Sequence, residues 1–238
     1  MTVAPVALRL TSDELTALAR GLGAPLFPGV TRSVYDHVGP EVHPLLDDGF
    51  LASLTARGLL EPDGDHLWPA EPLGALIAAY ASHRTYVVIE QTGTAVEPSV
   101  RALATGGEGT VRHWIREPVH VLELDPAPLG TALAEVVGRS PGPGRPGRHR
   151  CRGPRSAIVD LVPAAAGPWR RTTAMTRSDM GPHVRVDGFL GVLDGGPGEL
   201  RLVTEDDADV GHETVDPTVV ARPADADEVD AALTAFAA

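Results

Sequence analysis

Two segments of this 238-residue chain repeat one construction. VLELDPAPLGTALAEVV (121–137) and VVARPADADEVDAALTAF (219–236) each run a β-branched stretch into a proline, then into a helix whose apolar residues lie about four apart. A strand feeding directly into a helix must share a core with it, so the recurrence predicts a domain made of two related halves. Between the copies stands GRSPGPGRPGRHRCRGPR (138–155), whose prolines and glycines favour an extended, solvated connector. The expected organisation is therefore a single domain over 1–238, with halves at about 1–138 and 156–238 and an Arg/Pro/Gly linker at 139–155.

The rest of the first half supplies helices and then strands. In LTSDELTALARGLG (10–23), Thr11 is the N-cap, Glu14 completes a capping box, and Leu15, Leu18, Ala19 and Leu22 form one face before the glycines at 21 and 23 end the helix. A second helix covers DGFLASLTARG, with Phe50, Leu51 and Leu54 inward, and Pro62-Asp63-Gly64 makes a turn after it. A third runs from about Glu71 to Ser82 on Leu73, Leu76, Ile77 and Tyr80. The period then shortens: TYVVIEQ, SVRALAT, GTVRHWIRE and VHVLELD read as an antiparallel meander. Asp125-Pro126 is expected to cap the next helix, over Leu129, Leu133 and Val136 to Gly138. In the second half, HVRVDGFLGVLDGG, GELRLVTED and TVVARP read as strands, and Asp225 with Glu228 as the capping box of the last helix. The fold class is α/β in the α+β sense: a pseudo-two-fold arrangement with a central, mostly antiparallel sheet flanked by helices.

The connector satisfies two catalytic patterns by composition alone. Gly138, Ser140 and Gly142 spell G-x-S-x-G, yet a nucleophile elbow needs a strand before the serine and a helix after it, and Ser140 follows a helix and enters a proline run. Gly142, Gly144 and Gly147 spell G-x-G-x-x-G without the strand and helix that aim amides at a pyrophosphate. The nine histidines include no pair at i, i+4; His37 and His43 flank Glu41 in a loop that more simply faces water. TEDDADVGHETVD lacks EF-hand ligand spacing. Cys151 is the sole cysteine and forms neither disulfide nor zinc site within the chain. No enzyme, cofactor, metal or small-molecule substrate is expected.

All 20 basic residues are arginine, and the formal net charge of −12 opposes general affinity for nucleic acid, which rests on basic residues displacing counterions. No apolar run reaches the roughly 18–20 residues that span a bilayer, and MTVAPVALRL lacks the charged start and apolar core of a signal peptide. A cytoplasmic protein without membrane contact is the expectation.

The capped opening LTSDELTALARGLGAPLFP, the segment FLASLTARGLLEPDGDHLWPAEPLGALIAAYASHRTYVVIEQ, the DPAPLGTALAEVVG helix and the closing TVVARPADADEVDAALTAFAA together resemble the EspG family of type VII secretion (ESX) chaperones, from about residue 8 to 238. The resemblance implies a pseudo-symmetric α/β fold, no cofactor, and a cytosolic chaperone that binds the exposed tip of a helical secreted substrate, PE/PPE-like or WXG100-like, keeps it soluble and directs it to export. The chain departs from the commoner family pattern in its arginine-rich linker and in GELRLVTEDD.

A groove for a helical tip needs large apolar residues on an open sheet face. Trp114 faces opposite to its neighbours His113 and Ile115, and Trp169, Phe189 and Val192 lie in or near second-half strands; these four are the candidate partner contacts. The alternative is a transcriptional regulator, because ASLTARGLLEPDGDHLW imitates the recognition helix and wing of a winged helix-turn-helix, although that helix offers only Arg57 with Ser53 and Thr55 for DNA.

Overall fold

The computed structural model describes residues 7–24, 27, 29–30, 32–64, 66–71, 73–82, 85–106, 109–140, 150–157, 169–179, 184–196, 199–205 and 217–238. Ten strands form one largely antiparallel sheet: β1 (Ala7–Thr11), β4 (Thr85–Gly93), β5 (Ser99–Gly106), β6 (Gly109–Arg116), β7 (Val119–Asp125), β8 (Cys151–Pro154), β9 (Arg170–Asp179), β10 (Val184–Asp194), β11 (Leu200–Glu205) and β12 (Thr218–Pro223), in the order β1-β7-β6-β5-β4-β9-β10-β11-β12-β8. A separate hairpin pairs β2 (Leu60–Asp63) with β3 (His66–Pro69). Five α-helices stand among the described residues: α1 (Ser12–Leu22), α2 (His43–Ala56), α3 (Leu73–Ser82), α4 (Leu129–Val137) and α5 (Ala226–Phe236). The fold is α+β with a large antiparallel sheet, as the sequence predicts.

The chain divides into two compact units, and neither is continuous in sequence. The first comprises 1–86, 101–128 and 178–185; the second comprises 87–100, 129–177 and 186–238.

In the first unit, α1 begins where its sequence says it should. The Thr11 hydroxyl accepts from the Glu14 amide at 3.1 Å, and the Glu14 carboxylate accepts from the Thr11 amide at 2.9 Å, so two otherwise orphaned donors are satisfied reciprocally. Gly23 ends the helix at φ +60, where its amide reaches back to the last turn. Leu15, Leu18 and Ala19 of α1 join Leu54 of α2 and Leu73, Leu76 and Ile77 of α3 over Leu8, Leu10, Val111 and Leu122 of the sheet. Burying side chains of this size stabilises by about 1.5–3 kcal/mol apiece before the entropy of ordering them is charged. Leu22, read as part of the same face, is 41% exposed because it lies one turn beyond the sheet-facing stretch.

In the second unit, α4 and α5 bury Ala132, Leu133, Val136 and Val137 with Val229 and Leu233. The capping box of α5 is present, Asp225 accepting from the Glu228 amide at 2.8 Å. Phe189, Leu193 and Met175 form a further core with Val203, Val219 and Ala221. α4 starts at Leu129 rather than at Pro126. The Asp125 carboxylate turns back to the Ala127 amide at 2.8 Å, and Pro128 would occupy the third helical position, where a cap needs an N–H that proline lacks.

Three strands go beyond the sequence expectations. β1 runs directly into α1, its last residue Thr11 being the helix cap, and pairs with β7. β9 is ten residues of mostly Arg, Thr and Ser. Most surprising is β8: the end of the stretch expected to be a solvated linker pairs antiparallel with β12, Cys151 opposite Ala221. The rest of that linker, 141–149, lies outside the described residues, as do Gly142, Gly144 and Gly147, and so does the acidic stretch 206–216 considered for calcium.

Candidate partner-binding surface

α1, α2 and α3 pack on one side of the first unit's sheet; the other side is part buried, with Leu103 and Thr110 fully enclosed, and part accessible. Strand alternation decides which residues stand there. Val111, His113 and Ile115 of β6 lie on the helix side, opposite Leu124, Leu122 and His120 of β7. Arg112, Trp114 and Arg116 therefore project to the other side. The register assembles cross-strand rows: Arg9–Val121–Trp114 in the middle, Thr11–Val119–Arg116 toward one end and Ala7–Glu123–Arg112 toward the other. Trp114 and Val121 are half-buried, Val119 is 39% exposed, and Arg9 and Arg116 are exposed. An apolar ridge of Trp114, Val121 and Val119 thus runs between arginines.

The electrostatics of this face differ from those of the whole chain. Arg112 pairs with Asp125 beside Glu123. Arg101 of β5 is the unsettled member. Burial, then the positive charges of Arg116 and Arg112, pull its guanidinium below its ordinary pKa, and its Nε is buried without a hydrogen-bond partner. A desolvated cation beside two like charges is a costly arrangement that an incoming anion relieves.

The other three predicted contacts fall in the second unit. Trp169 is half-buried and works through its backbone: its amide donates to Thr94 Oγ1 at 3.0 Å and its carbonyl accepts from the Ala95 amide at 3.1 Å. It sits so close to Gly93, at φ +148, that a Cβ there would lie 2.2 Å from the Trp169 oxygen. Phe189 is 8% exposed, packed with Met175 and Leu193, and the Arg155 guanidinium stands 5.4 Å from its ring centre. Val192, 2% exposed, points to the other side of β10, opposite Leu202. Of the four, Trp114 alone combines a partly exposed place in a sheet strand with arginines on both sides of it in that strand.

The hairpin β2–β3 presents a residue that sequence reasoning passed over. Trp68 is 58% and Leu67 39% exposed on adjacent positions of β3. The signal was available: two four-residue strands cannot bury both faces, so a tryptophan there must remain in contact with water or a partner. Helix α2 and this hairpin do follow one another as a recognition helix and wing would. Arg57 at the end of that helix, however, is held by the Glu14 carboxylate at 2.8 Å and the Arg9 carbonyl, and Glu61 and Asp63 put acid on the hairpin.

Polar chemistry is buried beneath α1. His113 Nε2 and His120 Nδ1 share a hydrogen bond at 2.8 Å, and His120 Nε2 shares another with Ser12 Oγ at 3.0 Å. All three residues are 2% exposed or less, so the serine–histidine–histidine chain meets no substrate. Burial, aided by His120, pushes His113 down to about 3; burial also lowers His120, against the opposing pull of Glu117. Both rings are neutral at pH 7, and the chain is satisfied with its protons running in either direction. Ser140, from the G-x-S-x-G pattern, donates its amide to Asp194 at 2.8 Å. The ring of His43 rests edge-on against Tyr35, and its Nε2 lies 3.3 Å from the Tyr35 carbonyl. Among the described residues, no three His, Cys, Asp or Glu side chains gather as a metal site would, and no helix is long and apolar enough to cross a membrane.

No family model matches the sequence. No curated protein matches it either. Among solved structures it is similar to the type VII secretion system chaperone EspG5 of Mycobacterium tuberculosis, determined in complex with a PE25–PPE41 dimer: 12% identity, a TM-score of 0.54, and coverage of 96% of this chain and 94% of that one. A likeness at that identity is one of fold, and this chain has an EspG-like fold.

Proposed function

We propose that this protein is a cytoplasmic chaperone that binds the exposed tip of a helical secreted protein, PE/PPE-like or WXG100-like, keeps it soluble and directs it to type VII export. The observation that carries the proposal is the conjunction of an EspG-like fold over 96% of the chain with a sheet face, away from α1, α2 and α3, on which Val119 is exposed and Trp114 and Val121 are half-buried. A preformed apolar ridge on a rigid sheet can take the apolar end of a helical hairpin with little ordering cost, and the flanking arginines keep it from acting as a general aggregation surface. The role requires no covalent chemistry and no cofactor. Trp114 is the primary contact; Trp169, Phe189 and Val192 serve the interface through the framework they hold.

Co-expression with helical secreted proteins encoded beside a type VII secretion cluster, followed by size-exclusion chromatography, tests the proposal. A stable co-eluting complex that Trp114→Ala weakens by about tenfold or more is expected, the scale of a central aromatic anchor. Separate elution of every such candidate overturns it.

A further inference from the structure

The sheet face of the first unit turned away from α1, α2 and α3 carries arginines, Arg9 and Arg116 exposed and Arg101 and Arg112 partly so, in a protein whose formal net charge is −12. Arg9, Arg101, Arg112 and Arg116 surround Trp114 and Val121, and the carboxylates among them are Glu123 and Asp125. Arg112 and Asp125 are committed to each other. Arg101 has no such commitment: it is partly withdrawn from water, its Nε lacks a hydrogen-bond partner, and the charges it feels most are Arg116 and Arg112. Folding gains nothing from placing a guanidinium there, because a methionine of similar reach would cover the same strand without the desolvation cost. An anion delivered from outside accounts for it. Guanidinium takes carboxylate through two parallel N–H donors, and in a site partly closed to water that bond is about twice as strong as a neutral one.

We infer that the partner's docking segment is an acidic one, a helical tip whose apolar side chain seats on Trp114 and Val121 while a neighbouring carboxylate is received by Arg101, with Arg116 and Arg9 supplying the surrounding positive field. This rests on the partner-binding reading of the same face and adds to it the charge of the occupant. Neutral apolar tips fit the ridge equally well but leave Arg101 buried further and still unpaired. A basic tip meets the like charges of Arg101, Arg116 and Arg9. The face therefore selects among apolar helical ends by sign, and steers the right one in from a distance of about a Debye length.

Designed two-helix hairpin peptides with one Leu-Phe tip, in which the positions flanking the tip are all Glu, all Gln or all Lys, distinguish these cases by isothermal titration against the full chain. The Glu peptide is expected to bind about tenfold or more tighter than the Gln peptide, and the Lys peptide more weakly than either. The Glu-to-Gln ratio shrinks toward one in about 0.5 M salt. Arg101→Gln removes the ratio, the Glu peptide losing the advantage it holds over the Gln peptide. Arg101→Met, which keeps the stem, does the same, and a melting temperature that falls in neither variant ties the effect to charge rather than to unfolding.

Equal binding of the Glu and Gln peptides, both lost in Trp114→Ala, overturns the carboxylate inference and leaves the apolar ridge standing. Binding that ignores Trp114→Ala, or no binding by any peptide at about 1 mM, overturns the assignment of the face itself. Tighter binding of a single-stranded oligonucleotide than of the Glu peptide reassigns the arginines to phosphate and overturns the inference as well.

Discussion

The two units solve one problem in different ways: each must bury polar side chains beneath a helix layer without leaving them unpartnered. In the first, Ser12, His120 and His113 bond to one another in a chain between α1 and the sheet. In the second, Gln91 donates from its amide nitrogen to the Val136 and Val137 carbonyls at 3.1 Å each and lies 3.2 Å from the Thr172 hydroxyl. Gln91 thereby satisfies carbonyls that the C-terminal end of α4 leaves without intrahelical partners. Both arrangements satisfy the groups they bury. Only the first can take up a proton, so the two units respond differently to acid.

The largest effects should not tell the units apart. Leu122→Ala in the first and Leu133→Ala in the second each empty a fully buried site, and each is expected to cost about 2–5 kcal/mol in urea unfolding. A large inequality between them would show that one unit's core is far more able to collapse around a cavity.

Acid separates them. A histidine held neutral by burial has a folded-state pKa below its unfolded value of 6.5, so the stability it carries is complete above that pH and drains as pH falls toward about 3, where only the unfolded chain has gained the proton. The slope is about 1.4 kcal/mol per pH unit for each such histidine. Hydrogen exchange between pH 7 and 4.5, corrected for intrinsic rates, should show β6 and β7 losing protection before β11 and β12, and His113→Gln should flatten the loss. Equal decline in both units would break the comparison.

Gln91→Ala strands the α4 carbonyls and is expected to cost about 1–3 kcal/mol at every pH, with no acid slope of its own, as read by urea midpoints at pH 7 and 5. Smallest are the helix starts. Thr11→Ala in the first unit and Asp225→Ala in the second remove equivalent capping boxes, and each should lower stability by about 1 kcal/mol in thermal unfolding.

How far the fold was legible follows from where each element finds its partners. α1 and α5 carry their starting signals within four residues, so both were readable to the residue. β4 to β7 and β12 announce themselves by β-branched runs between turns. β9, with the sequence RRTTAMTRSD, has no such pattern; its neighbours in the sheet make it a strand. β8 is the extreme case, four residues from an Arg/Pro/Gly stretch that are extended because β12 offers an edge. Helix α4, placed by the sequence at the end of the first half, belongs to the compact unit that holds α5. The candidate surface was legible in one part: alternation around His113 fixed the side on which Trp114 stands. That Arg9, Arg101, Arg112 and Arg116 surround it depends on strand order, which local patterns do not encode.

The sequence by itself determined the elements whose causes are local: a cap, a helical apolar face, a turn residue, a two-residue alternation. It determined as well the charge balance, because that depends on residue type alone. Tertiary structure decided which alternating face lies away from α1, α2 and α3, which histidines meet beneath α1, and that an arginine of β5 stands beside arginines of β6 with no acid of its own among the described residues. Contacts between residues far apart in the chain exist only once loops have closed and strands have taken their register, and a shift of one residue in that register would send every side chain of a strand to the opposite face.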